Sequence, residues 1–230
     1  MPIHMQREVD RLKKQVLALS TAVEDSVREA VRSLADRDTA LANKVIENDV
    51  EIDRAEIEVE EECLKILALH QPVAIDLRFI VAVLKMNNDL ERIGDLAVNI
   101  AERAVFLNDR PRIEIPFDFT GLAEKTQIML RNSLDSLVNM DAALARRVCA
   151  MDDEVDAINR EMYDRVKAAI RTHLEHLDSL IALLSVSRYM ERIADHATNI
   201  AEDVLYMIQG RIVRHGREFE GEKAKAPATT

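Results

Sequence analysis

The chain has 230 residues, 48% of them hydrophobic and 32% charged, with only five Gly and five Pro and a formal net charge of −11. This is the composition of a helical protein without sheets, and its acidity excludes nonspecific binding to nucleic acid, whose phosphates need Lys and Arg. No stretch reaches the roughly 18 uninterrupted apolar residues of a membrane span, and charges begin at Arg7 with no apolar segment ahead of a cleavage site, so a cytoplasmic protein is expected, peripheral to a membrane at most.

Residues 4 to about 36 read as one helix, with Val9, Leu12, Val16, Leu19, Val23 and Val27 at helical spacing. Asp38 stands where it can cap a second helix, in which Val45, Ile52, Val59 and Ile66 recur every seven residues as a bundle seam. That helix ends near His70, and Pro72 suits the first turn of a third. The third carries Phe79, Val83, Met86, Leu90, Ile93, Ala97, Ile100, Ala104 and Leu107 on one stripe. Two prolines interrupt the pattern over 108–119, which reads as a linker.

After the linker the same program restarts. A fourth helix covers about 120–139, and Asp141 takes the place of Asp38. A fifth helix repeats the seam as Val148, Val155, Met162 and Ala169, at an offset of 103. After a turn between Leu174 and Ser179, a sixth repeats the third-helix stripe as Leu183, Val186, Met190, Ile193, Ala197, Ile200, Val204 and Met207, at an offset of 100. The predicted fold is therefore all-α: two tandem, pseudo-symmetric three-helix bundles of six long helices. The first spans residues 1–107 and the second 120–210, with 108–119 between them and a polar tail over 211–230 expected to be disordered. Cys63 and Cys149 stand alone, without C-x-x-C spacing, and read as small buried hydrophobes.

The sharpest part of the repeat is E-R-I-G-D-L-A-V-N-I-A-E from Glu91 and E-R-I-A-D-H-A-T-N-I-A-E from Glu191, identical at nine of twelve positions. Each begins with a carboxylate pair four residues apart, Glu91 with Asp95 and Glu191 with Asp195, and such pairs share one helix face. Asp49 with Asp53 and Asp152 with Asp156 form matching pairs on the preceding helices. In an antiparallel hairpin, residues equidistant from the turn lie level. The midpoints of 53 with 91 and of 49 with 95 both fall at 72, and those of 156 with 191 and of 152 with 195 both fall at 173.5. Each hairpin is thus predicted to gather four carboxylates. Glu91 lies about 100° round its helix from the seam residue Leu90 and Asp95 about 40° further, so the quartets flank the core and face solvent.

Like charges this close are unfavourable, by about 0.2–0.5 kcal/mol per pair on one helix and more between facing helices. Cations can relieve that cost. Carboxylate oxygens with no thiolate or imidazole among them suit Mg, Ca, Mn or Fe before Zn or Cu, four of them can bridge more than one ion, and Asn99 and Asn199 extend each ladder by a turn with neutral oxygen. A solvated acidic face balanced by Arg54, Arg92, Arg188 and Arg192 accounts for any single pair, but four pairs matched across two repeats and two hairpins favour metal. The rest of the acidic run from Glu47 to Glu62 reads as solvated surface, His173 and His176 as exposed turn residues, and His196 as structural. Carboxylate-bridged hydrolases and oxidases on helical bundles form the alternative class. Di-iron oxidases use E-x-x-H on two helices, a motif this sequence lacks, and no His or Lys is placed as general base or acid beside the quartets.

These residues resemble the PhoU family of phosphate-uptake regulators. The likeness runs through the D-x-x-x-D at Asp49, L-H-Q-P-V-A-I-D-L-R around Pro72, D-L-E-R-I-G-D over 89–95, R-Y-M-E-R-I-A-D-H-A-T-N-I-A-E over 188–202 and G-R-I-V-R-H from Gly210. Ala194, where the first repeat has Gly94, departs in a way expected to touch packing but not ligands. The resemblance implies a cytoplasmic, dimeric, all-helical adaptor and not an enzyme. It implies partnership with the phosphate ABC transporter ATPase and a sensor histidine kinase, and restraint of phosphate-starvation genes. It also implies multinuclear metal clusters, one on Asp49, Asp53, Glu91 and Asp95 and the other on Asp152, Asp156, Glu191 and Asp195, without naming the metal; iron stands among the candidates on the oxygen donors alone.

Overall fold

Every element of the computed structural model, which describes residues 3–113 and 119–210, is helical. The helices are α1 (Ile3–Asp36), α2 (Thr39–His70), α3 (Ile75–Asn108), α4 (Phe119–Asn139), α5 (Ala142–Thr172) and α6 (Leu177–Gln209), with a single 3₁₀ turn at Leu174–His176. The expected tail and residues 114–118 of the expected linker lie outside the described residues.

Two turns of the same design open α2 and α5. Asp38 accepts a hydrogen bond from the Leu41 amide at 2.9 Å, and Asp141 accepts from the Ala143 and Leu144 amides at 2.8 and 3.0 Å. Both satisfy donors that a helix start leaves open. The residue before each cap, Arg37 or Met140, takes a left-handed backbone with φ of 55° or 50°. Arg37 then reaches across to the end of α3, where its guanidinium donates to the carbonyls of Leu107, Asn108 and Arg110. An arginine thus closes the carbonyl end of a helix some 70 positions away in sequence.

Pro72 does not sit in the first turn of α3; it is a buried loop residue three positions before Ile75. Proline disfavours right-handed helix at the residue before it. Gln71 accordingly turns left-handed (φ 44°) and ends α2, its amide donating to the Leu67 carbonyl. The equivalent turn in the second half ends α5 on His173, whose amide donates to Ala169.

The seams lie where their spacing puts them, with two corrections. Val148, Val155 and Met162 of α5 are buried, but Ala169 is half-exposed and Val166 is buried in its stead. A straight helix drifts by about 20° per heptad, so the inward position moves back to 166 near the end of α5. On α3 the stripe holds from Val83 to Ala104, while Phe79 and Leu107 at its ends are only partly covered and Ile80 is buried.

α3 and α6 form the centre of the molecule. α1 and α2 pack on α3, α4 and α5 pack on α6, and α3 and α6 pack on each other. Polar contacts fix this junction antiparallel: Lys85 Nζ lies 3.0 Å from Asp203 Oδ1, and Asp89 Oδ1 lies 2.8 Å from His196 Nδ1 and 3.2 Å from Asn199 Nδ2. Asp89 is only 8% exposed, so its two partners supply the hydrogen bonds that a buried carboxylate requires.

Candidate metal centres

The two hairpins differ in how closely they gather their acids. In the first, burial raises the Asp49 pKa from its ordinary 3.8 to about 6, and the charges of Asp53, Asp95 and Glu91 add to the rise. Asp49 sits against the backbone of α3, because a Cβ on Gly94 would lie 3.2 Å from Ile52 Cγ2 and 3.6 Å from Asp49 Oδ1. The glycine lets α2 approach α3 at the level of the quartet. Arg92 pairs with both acids of its own helix, 3.2 Å from Glu91 and 3.0 Å from Asp95. Burial also raises Glu91, with Asp95 and Asp53 adding to the rise and Arg92 opposing it.

The second hairpin converges further. Among the described residues, Asp156, Glu191 and Asp195 are the one set of three acids offering ligand atoms all within 4.8 Å of one another. Burial pushes Asp195 up to about 6, helped by Glu191, Asp152 and Asp156. Glu191 is raised by burial and by Asp156, against Arg188 and Arg192. Asp152, the fourth member, accepts a hydrogen bond from Thr198 Oγ1 at 3.2 Å. Carboxylate pKa values that stay raised despite these arginines mark sites where negative charge is in excess. An all-oxygen donor set with two helices behind it fits a hard or borderline divalent ion.

The outer positions fare differently. Asn99 lies half-buried one turn beyond Asp95, whereas Asn199 is engaged with Asp89 across the α3–α6 junction. His196 joins it there, which gives its structural role a partner. His173 and His176 both sit by Glu175 in the turn, at 3.2 and 4.0 Å. Burial pushes the Cys63 and Cys149 thiols up to about 12, keeping them un-ionised. Sequence reading did not single out Asp89. Its signal is a divergence inside the repeat, since Asp89 faces Tyr189 in the alignment and His196 faces Leu96.

A family model of the PhoU domain matches residues 16–104 and again 119–204. The chain belongs to the PhoU family. The phosphate-specific transport system accessory protein PhoU homolog 1 of Thermotoga maritima is 33% identical over 210 residues, covering 91% of this chain and 90% of that protein. The PhoU homolog of Pseudomonas aeruginosa, also named as a phosphate-specific transport system accessory protein, is 37% identical over 214 residues, 90% of this chain and 86% of that one. The crystal structure of PhoU from Pseudomonas aeruginosa matches with a TM-score of 0.86 at 34% identity, over 90% of this chain and 99% of that one. The phosphate transport system regulatory protein PhoU from Streptococcus pneumoniae matches at 0.82 and 25% identity, over 92% and 100%. The family resemblance read from the motifs and the all-α, six-helix fold both hold. No helix among the described residues is long and apolar enough to cross a membrane.

Proposed function

We propose that this protein is a cytoplasmic regulatory accessory of phosphate transport. In this reading it acts as a homodimeric adaptor between the phosphate ABC transporter ATPase and a sensor histidine kinase, and restrains the starvation response when phosphate is plentiful. Multivalent ions held by Asp49, Asp53, Glu91 and Asp95, and by Asp152, Asp156, Glu191 and Asp195, cancel the charge that each hairpin concentrates and lock its two helices into one docking surface. Fe, Mn, Mg and Ca fit the oxygen donors better than Zn. The observation that carries the metal reading is the convergence of Asp156, Glu191 and Asp195 beside the second seam, with acids at the matched positions of the first repeat, in a chain whose relatives are named accessory proteins of phosphate transport.

The assignment is to binding and not to catalysis. His196, the imidazole adjacent to the second quartet, is turned onto Asp89, which leaves it badly placed as a general base for a metal-bound water. Elemental analysis of the purified protein, followed by melting with and without chelator, tests the reading. Bound multivalent metal and a lower melting temperature after its removal are expected, because a ligand that binds only the folded state stabilises it by mass action. An unchanged melting curve after complete removal would defeat it.

A further inference from the structure

The two quartets are copies in sequence, but the residues beside them are not. Beside the second, a groove of about 790 Å³ between α5 and α6 is lined by Arg160, Arg188 and Arg192 together with Asn159, Tyr163 and the acids Glu191 and Asp195. Aligned by the repeat, Asn159 replaces Glu56, Arg160 replaces Ile57, Tyr163 replaces Glu60 and Arg188 replaces Asn88, each exchange adding one positive charge. Ser185 in place of Lys85 removes one, so the change is three charges net. The hydrogen bond at the groove floor changes in the same sense. In the first half Asn87 donates to the Glu56 carboxylate at 2.8 Å; in the second Ser187 donates to the Asn159 amide oxygen at 2.6 Å.

Bound ions would leave the two sites with opposite net charge. The second site sets its quartet and Asp164 against three arginines, a balance of minus two. The corresponding first-half residues set the quartet, Glu56, Glu60 and Glu61 against Arg92 and Lys85, a balance of minus five. A pair of divalent ions would leave the first site at minus one and take the second to plus two. Of the second-half arginines, Arg160 is directed at the acids, 3.8 Å from Asp156. Ions on those acids would displace its guanidinium and leave it facing a positive centre. A guanidinium fork beside a divalent ion is the arrangement that recognises phosphate, and a phosphate group carries about −1.5 to −2 near neutral pH, which matches the excess.

We infer that the α5–α6 groove is a metal-dependent site for inorganic phosphate, with Arg160 and Arg188 as its anion-binding residues, and that the first quartet, on α2 and α3, takes cations alone. This rests on the metal reading above. Coupling is reciprocal: phosphate tightens Mn²⁺ at the second quartet by the factor by which Mn²⁺ tightens phosphate.

Equilibrium dialysis of the full chain against radiolabelled inorganic phosphate, with Mn²⁺ occupancy counted by electron paramagnetic resonance on the same samples, is the test. Phosphate is expected to bind at a single site with Mn²⁺ present and to weaken by about tenfold or more in EDTA. The double variant Arg160→Gln, Arg188→Gln should lose phosphate to a similar degree and keep its Mn²⁺ and its helicity. Arg92→Gln in the first half should keep its phosphate. Mn²⁺ bound at the second quartet, verified by its loss in Asp156→Asn, without any phosphate would overturn this inference alone. So would phosphate binding unchanged by EDTA or by the double variant. No Mn²⁺ bound at all would overturn the metal reading and this inference with it.

Discussion

Asp49 and Asp195 show how a single side chain reports on the site around it. Both are acids whose ordinary pKa of 3.8 is pushed to about 6, first by burial and then by neighbouring acids. An acid with a higher pKa folded than unfolded binds more protons when folded, so between those two values stability rises as pH falls. The metal-free protein should therefore melt at a higher temperature near pH 5.5 than near pH 7.5. Saturating divalent metal should flatten or reverse that trend, because the ions need the ionised form and lose affinity below about pH 6. Asp49→Asn and Asp195→Asn should each raise the melting temperature of the chelated protein at pH 7.5 and each remove part of the stabilisation by metal. Scanning calorimetry across this pH range in EDTA and in Mn²⁺ checks both; a chelated protein that becomes steadily less stable on going from pH 7.5 to 5.5 would contradict the account.

At the scale of the helix, local pattern governs where elements begin and long-range contact governs how some of them end. Asp38→Ala and Asp141→Ala should each cost about 1 kcal/mol in urea denaturation, the usual loss for an N-cap. Both caps are legible in sequence, since an acid just before an apolar period is a local signal. Arg37→Ala should cost more, about 1.5–3 kcal/mol for a charged donor lost from the end of α3, and nothing near Arg37 in the chain announces that role. The level of the acids along each hairpin is legible as well, because a hairpin turns sequence distance into height. Rotamers are not. Spacing alone does not show that Arg92 pairs with both Glu91 and Asp95, that Thr198 holds Asp152, or that three second-half acids converge within 4.8 Å. Nor does it show that Asn199 turns to Asp89. Pro72 and Ala169 went astray for a related reason: a residue's type favours a conformation, but the path of the chain between packed helices decides which residue fills it.

For the whole molecule, the junction of α3 with α6 matters most, because each of these helices carries half of one quartet and together they join the lobes. Asp89→Ala removes the acceptor for both His196 and Asn199 and should destabilise the fold by about 1–3 kcal/mol. Amide exchange should accelerate along α3 and α6 more than along α2 or α5; a uniform increase over all six helices would place the strength of the junction elsewhere. This contact also has a bearing on the history of the chain. A protein assembled from two first lobes would set Asp89 against Leu96, leaving it an asparagine but no imidazole, and one assembled from two second lobes would offer His196 a tyrosine ring. The halves resemble each other in sequence, yet these contacts across the middle make them a left and a right that cannot trade places.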